Sequence, residues 1–190
     1  MTAAEGADAF RQLYRQHAEV VFSYLLRRCS SQVDAQDALA ETFLVAWRRP
    51  DQVPEGDAAR LWLYGVARRV LANQRRSERR RRRLMQRLEA QPAEVVAGPD
   101  VVAGVGDILG ALSRLSEGDR EILQLAAWEE LSHPEIAAIL GCSENASAIR
   151  LHRARARLRR AYEKERGGTR TPTGRNGDRD SGKGRYDHGA

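Results

Sequence analysis

The chain has 190 residues, 32 Lys and Arg against 26 Asp and Glu, a net charge of +6 and an ordinary apolar content with few aromatics. No apolar run is long enough to cross a bilayer, and the opening MTAAEGADAF lacks the basic start and apolar centre of a secretion signal, so a cytoplasmic protein without membrane insertion is expected. Cys29 and Cys142 stand far apart with no C-x-x-C partner, which argues against a zinc site or a disulfide framework and leaves two small, half-buried apolar residues.

Strand-like alternation is absent and apolar residues recur at intervals of three and four, so the fold class is all-α. A first helix is expected from about Asp8 to Arg28, with Phe10, Leu13, Tyr14, Val21, Tyr24 and Leu25 along one face. The second, about Asp34 to Arg48, stops before Pro50, and PDQVPEGD reads as a loop. On this second helix Asp34, Asp37 and Glu41 fall within an arc of about 60°, with Leu39, Phe43, Ala46 and Trp47 across from them. Leu44 lies beside the acidic arc as an exposed apolar residue. Three readings fit: a solvated surface helix whose first-turn acids are favoured by the helix dipole, a docking face for a partner rich in arginine, or a carboxylate site. The last ranks lowest, because no His or Cys accompanies the acids.

A third helix starts near Ala58 and continues through RRSERRRRR, seven arginines in the nine positions 75–83. Leu63, Ala67, Val70 and Leu71 supply its core stripe. Trp62, Arg69, Asn73, Arg76 and Arg80 form another, within roughly 60°. Guanidiniums for phosphates, an aromatic for stacking and an amide for a base edge suit a nucleic-acid surface, although Trp62 fits a core position equally well. Residues 89–107 hold Pro92, Pro99 and three glycines without Lys or Arg and read as a flexible linker.

A second helical unit is expected over 108–166. Ser116 with Asp119 resembles a capping box, and Ser132 with Glu135 is one by pattern. Gly141 provides a C-cap and Ser143 an N-cap for a last, basic helix, so a helix of about eight residues, a short turn and a longer helix make a helix-turn-helix. In that last helix Leu151, Ala154, Leu158 and Ala161 point inward. Asn145, Ile149, His152 and Arg153 lie opposite, where side chains reach base edges in a major groove. Arg150, Arg155, Arg157 and Arg160 suit phosphates or solvent. The tail, 167–190, is rich in glycine and nearly free of aliphatic residues, and disorder is expected.

Charge is blocked along the chain. Residues 63–88 carry ten arginines against Glu78, a balance of +9; residues 108–149 carry two arginines against seven acids, −5; residues 150–166 carry +6. Arginine makes up 30 of the 32 basic residues, which codon usage can explain; the clustering it cannot. Two basic segments point to two contacts with a polyanion.

The segments DAQDALAETFLVAWRR, WLYGVARRVLANQRR and LSHPEIAAILGCSENASAIRLHRARARLRR, in this order and with this linker, resemble regions 2.2, 2.3 to 2.4 and 4.2 of the extracytoplasmic-function (ECF) group of bacterial RNA polymerase sigma factors. The resemblance covers about residues 8–165. It implies two small helical domains, 8–88 and 108–166, and core RNA polymerase, promoter DNA and in many members an anti-sigma factor as partners. Asp34, Asp37, Glu41 and Leu44 would then dock on the clamp helices of the polymerase largest subunit. Trp62, Arg69, Asn73, Arg76 and Arg80 would engage the minus-ten element, and Ala148, Ile149 and His152, with Asn145, Arg150 and Arg153 nearby, would read the minus-thirty-five element. Neither a cofactor nor active-site chemistry is implied. The chain departs from the family where Gly-Thr-Val-Lys-Ser often opens the last helix: Asn145, Ala146, Ser147, Ala148 and Ile149 stand there, with Ser in place of a core Val. Arg69 stands where Asn is frequent. A stand-alone helix-turn-helix regulator and a helical RNA-binding protein are the alternatives; the acidic helix followed by the basic one is superfluous in a repressor.

Overall fold

The computed structural model describes residues 3–88 and 105–168, so most of the linker and tail segments lie outside the described residues. The described residues form helices α1 (Ala3–Leu26), α2 (Gln32–Arg48) and α3 (Ala58–Leu88), then α4 (Val105–Ser113), α5 (Glu117–Ala127), α6 (His133–Leu140) and α7 (Glu144–Gly168), with no strand among them.

Local chemistry sets most boundaries. Ser31 caps α2, its hydroxyl accepting from the Asp34 N–H at 3.1 Å, so this helix begins two residues before the acid expected to open it. Beyond Arg48 a 3-10 turn, Pro50–Gln52, redirects the chain, and Gly56 at φ +62° leads it into α3, a conformation that glycine adopts without a Cβ clash. Helix α3 then runs unbroken through the arginine segment, as expected. Further on, the Ser116 hydroxyl accepts from Asp119 N–H at 3.2 Å, and the Glu135 carboxylate accepts from the Ser132 N–H at 2.8 Å and from its hydroxyl at 2.6 Å. Gly141 is left-handed at φ +65°, and Ser143 accepts from the Ala146 N–H at 3.2 Å, so the phase of α7 is fixed from its first turn. The second unit has one helix more than the sequence separates: α4, which starts at Val105, inside the segment read as linker.

Helices α1, α2 and α3 pack around Val21, Tyr24, Leu25, Phe43, Leu63 and Val66, all buried. Phe10, Tyr14, Phe43 and Trp47 meet edge-on between α1 and α2 at centroid distances of 4.8 to 6.2 Å. Trp47, expected in the core, is 49 % exposed: it closes the outer end of this cluster against Phe10 instead of entering it. Tyr14, counted on the inner face of α1, is likewise half-exposed. In the second unit Ile122, Leu125, Ile136, Ile139, Leu151 and Ala154 close a smaller core, with α7 touching each of α4, α5 and α6. The two units are not separate bodies, for α6 packs on α3 and the buried apolar residues of both join in one cluster.

Candidate nucleic-acid interface

Helix α2 presents Asp34, Asp37 and Glu41 to solvent, and Leu44 beside them is 43 % exposed, as its position predicts. Behind this surface Thr42 is fully buried with its hydroxyl donating to the Ala38 carbonyl at 2.6 Å, so the helix turns a sealed face inward.

Helix α3 carries two arginine stripes. Arg69, Asn73, Arg76 and Arg80 are exposed on one, where Arg76 donates to the Asn73 side-chain oxygen; Trp62, on the same stripe, is half-buried and packs against the core. Arg68, Arg75 and Arg79 form the other, rotated by about 100°. These face the second unit: Arg68 Nε donates to Glu121 at 2.8 Å, while Arg75 and Arg79 share the Glu117 carboxylate, the latter at 3.3 Å. Burial alone would raise the Glu117 pKa, but the Arg75 and Arg79 guanidiniums outweigh it and hold this carboxyl below the ordinary glutamate range.

At the end of α1 the same partnership goes underground. Arg27 and Arg28 both donate to Glu129, at 2.6 and 3.0 Å, and the Arg28 and Glu129 side chains are 4 % and 3 % exposed. The Arg28 guanidinium also lies 3.6 Å above the ring of Tyr24, which stacks on Tyr64 at 4.8 Å. Burial pushes the Tyr24 phenol up to about 12, so it stays neutral. Glu129 reaches this place because its neighbour, Glu130, turns the chain with a left-handed φ of +54°, uncommon for a residue with a Cβ.

In α7, Asn145, Ile149, Arg150, His152 and Arg153 are exposed and Ala148 is half-buried, while Leu151 and Ala154 face the core. Ser147, standing at the family's core Val, is fully buried, its hydroxyl donating to the His133 carbonyl at 3.1 Å; the departure keeps its place in the core by gaining a hydrogen bond. Arg157, assigned from sequence to phosphates or solvent, instead grips Asp119 with two bonds of 2.7 and 2.8 Å and ties α7 to α5. Burial alone would lift the Asp119 pKa, but Ser116 and Arg157 hold it low. Among the described residues no group of His, Cys, Asp and Glu could hold a metal ion, and no helix is long and apolar enough to cross a membrane.

The interface residues Arg27, Arg28, Arg68, Arg75, Glu117, Glu121 and Glu129 are the ones that sequence reasoning passed over. For all but Arg27 and Arg28 the signal is the −5 block of residues 108–149 that follows the +9 block of 63–88: the charge pattern gives the two basic blocks, 63–88 and 150–166, to a polyanion and leaves the acidic block between them without a partner.

A helix-turn-helix with an exposed polar recognition face, joined to a bundle with an acidic helix and an arginine-striped one, defines a helical DNA-binding transcription factor. Residues 13–81 match the family Sigma-70 region 2 and residues 106–158 match Sigma-70, region 4. The chain is 35 % identical over 162 residues to the ECF RNA polymerase sigma factor SigL of Mycobacterium tuberculosis, covering 83 % of this chain and 90 % of that protein. It is 31 % identical over 175 residues to the RNA polymerase sigma factor CnrH of Cupriavidus metallidurans, covering 82 % and 88 %. Among solved structures it resembles the sigma factor RpoE in complex with the anti-sigma factor NepR from Bartonella quintana, with a TM-score of 0.62 at 26 % identity over 82 % of this chain and 97 % of that one. CnrH in complex with the cytosolic domain of CnrY gives a TM-score of 0.53 at 27 % identity, over 85 % and 95 %. The chain belongs to the ECF RNA polymerase sigma factors, and it is an alternative sigma factor that directs transcription initiation.

Proposed function

We propose that this sigma factor divides its work among three surfaces. Asp34, Asp37, Glu41 and Leu44 on α2 dock on the clamp helices of the polymerase largest subunit, carboxylates meeting arginines around an apolar contact. Arg69, Asn73, Arg76 and Arg80, with Trp62 beside them, engage the minus-ten element as it opens. A stacked base contributes about 1 to 3 kcal/mol, comparable with the few kcal/mol that extruding a base costs, so one half-buried tryptophan holds an unpaired base without melting DNA unaided. Asn145, Ala148, Ile149 and His152 read the minus-thirty-five element in the major groove, while Arg150 and Arg153 hold phosphates. The factor itself is non-catalytic and works in the cytoplasm, where its polymerase is. RpoE is found with the anti-sigma factor NepR and CnrH with the cytosolic domain of CnrY, and an anti-sigma factor is the natural regulator here.

The exposure of Ile149 and His152 together, on a helix whose first turn is locked by Gly141 and Ser143, is the observation that carries this reading. Its test mixes the purified chain with core RNA polymerase, isolates the complex by size exclusion and sequences transcript 5′ ends from genomic fragments. Co-elution with a shared two-element motif upstream of the starts is the expected result. A free protein that shifts duplex DNA but never joins polymerase would be a stand-alone regulator, and the proposal would fall.

A further inference from the structure

Where the end of α1, α3 and the edge of α5 meet lies a polar cavity of about 420 Å³, within the size range of small-molecule sites and too small for a nucleic-acid helix. Its walls carry Arg27 and Arg28 of α1, the inner stripe of α3 (Arg68, Arg75 and Arg79) and Arg120 of α5. Among the described residues the carboxylates set against them are Glu117 and Glu121 in the wall and Glu129, which Arg27 and Arg28 hold. Six guanidiniums thus meet three carboxylates, and an excess of three positive charges is left in one enclosed space.

Arg28 is the distinctive member of this wall. Its side chain is 4 % exposed, and its Nη1 donates to Glu129 at 3.0 Å and to the Tyr24 carbonyl at 2.9 Å. Nε and Nη2 have no hydrogen-bond partner among the described residues, and neither has the hydroxyl of the fully buried Tyr24. These two nitrogens form one edge of the guanidinium fork, the edge that takes two oxygens of a single phosphate or carboxylate side by side. A buried charged donor left unpaired is costly, so a free edge in such a place calls for an anion. The Tyr24 ring, the one aromatic in the wall, is already covered by Arg28 at 3.6 Å and by Tyr64 at 4.8 Å, so the cavity recognises charge and not a base.

We infer that this cavity is a binding site for an oligophosphate chain, either inorganic or the phosphate tail of a nucleotide, recognised without regard to the base. One phosphate lies on the free edge of Arg28 beside the Tyr24 hydroxyl, and the rest of the chain runs toward Arg68, Arg75 and Arg79, whose side chains are the more open to solvent. Two or three linked phosphates match the excess of charge, which a single small anion leaves partly unmet. Glu117 and Glu121 hold the inner stripe in position through ion pairs that are open to water and contribute little, so a phosphate displaces them readily. Because its ligands come from α1, α3 and α5, the bound chain adds bonds between elements of both units, and the strength of that contact follows the concentration of the anion. None of these residues takes part in the polymerase or promoter contacts proposed above, and the inference does not rest on them.

Titration calorimetry of the full chain with sodium tripolyphosphate, at about 150 mM NaCl to screen weak surface binding, tests the site. Saturable one-to-one binding is expected. It should weaken at least about tenfold in Arg68→Gln/Arg79→Gln and less than about twofold in Arg69→Gln/Arg76→Gln, which removes the same charge from the outer stripe of Arg69, Arg76 and Arg80. Glu117→Gln supplies a reading of opposite sign: it removes a competitor for Arg75 and Arg79 and should tighten binding about threefold or more, which a merely structural role of Glu117 would not do. ATP and GTP should bind alike and adenosine not at all; tripolyphosphate at least as tight as the nucleotides points to an inorganic chain, and two equally tighter nucleotides point to the nucleotide tail. A preference between ATP and GTP, a loss in the outer-stripe variant in place of the inner one, or no saturable binding would overturn the inference. Should the inner-stripe variant fail to fold, Glu117→Gln decides, unchanged or weaker binding overturning the site.

Discussion

Arg28 and Glu129, 101 residues apart in the chain, meet at 3.0 Å with almost no exposure to water, one at the end of α1 and the other beyond α5. Removing one partner of a buried pair commonly costs about 3 to 5 kcal/mol, because the other charge is stranded. Here the stranded partner has an escape, since parting the units returns Arg28 to solvent. Glu129→Ala should therefore cost less than that in global urea unfolding, while amide exchange accelerates together at residues 24–28 and 128–131. A loss of 3 kcal/mol or more in global stability, with no local acceleration, would mean that the units cannot separate.

Arg80 to Arg83 are exposed and lie beyond the stripe that grips Glu117. Replacing these four with Ala should weaken binding to all promoters alike and reduce the slope of log affinity against log salt by about 3, the counterions no longer released. Fluorescence anisotropy over a salt series measures both. A loss confined to one promoter sequence would make these arginines readers of sequence.

His152 and Ile149 are expected to behave differently from Arg150. Ala at either of the first two should change which minus-thirty-five sequences are used, with about 1 to 3 kcal/mol lost at the matched base. Arg150→Ala should lower all promoters together. Sequencing transcript starts from a randomised promoter library separates the two outcomes.

Asp37→Lys/Glu41→Lys leaves the folded chain intact, both side chains being solvent-exposed, yet should abolish co-elution with core polymerase. If the complex survives that reversal, α2 is an ordinary solvated helix.

Acid should loosen the second unit first. Glu135 is held low by its bonds to Ser132 and by Arg60, Asp119 by Ser116 and Arg157, and Glu117 by Arg75 and Arg79. Folded values below the ordinary 4.5 and 3.8 mean that the unfolded chain takes up protons first, so this stabilisation is complete above about pH 5 and disappears as pH falls through that range. The melting temperature should fall from pH 6 to pH 3.5, and Asp119→Asn/Glu135→Gln should flatten that dependence.

What the sequence made legible was local. The caps at Ser116, Ser132, Gly141 and Ser143 depend on residues three or four apart, and each forms as its spacing predicts. The exposure of Leu44 follows from helical phase alone. Trp47 misled because phase gives the direction of a side chain but not how much protein lies in that direction; at the edge of the aromatic cluster there is little. Arg157 and Glu129 were opaque for a related reason: their partners lie 38 and about 100 residues away, and only the packing of helices brings them into reach. The candidate contact surfaces were readable as faces, whereas the contact between the units was visible only as a pair of opposite charge blocks.

The unbroken course of α3 has a consequence for how such a chain can vary. Core residues such as Val70, the outer stripe and the inner stripe all share one helical rod, so a single inserted residue after Leu71 would swing every later arginine by about 100°, bringing Arg75 and Arg79 onto the azimuth of the outer stripe and carrying Arg76 and Arg80 on to a third face. An insertion of about seven residues, close to two turns, would restore their azimuth while moving the charges about 10 Å outward. Length changes in this helix are thus filtered by phase before they are filtered by chemistry, and drift in the position of the arginine run should proceed in whole turns.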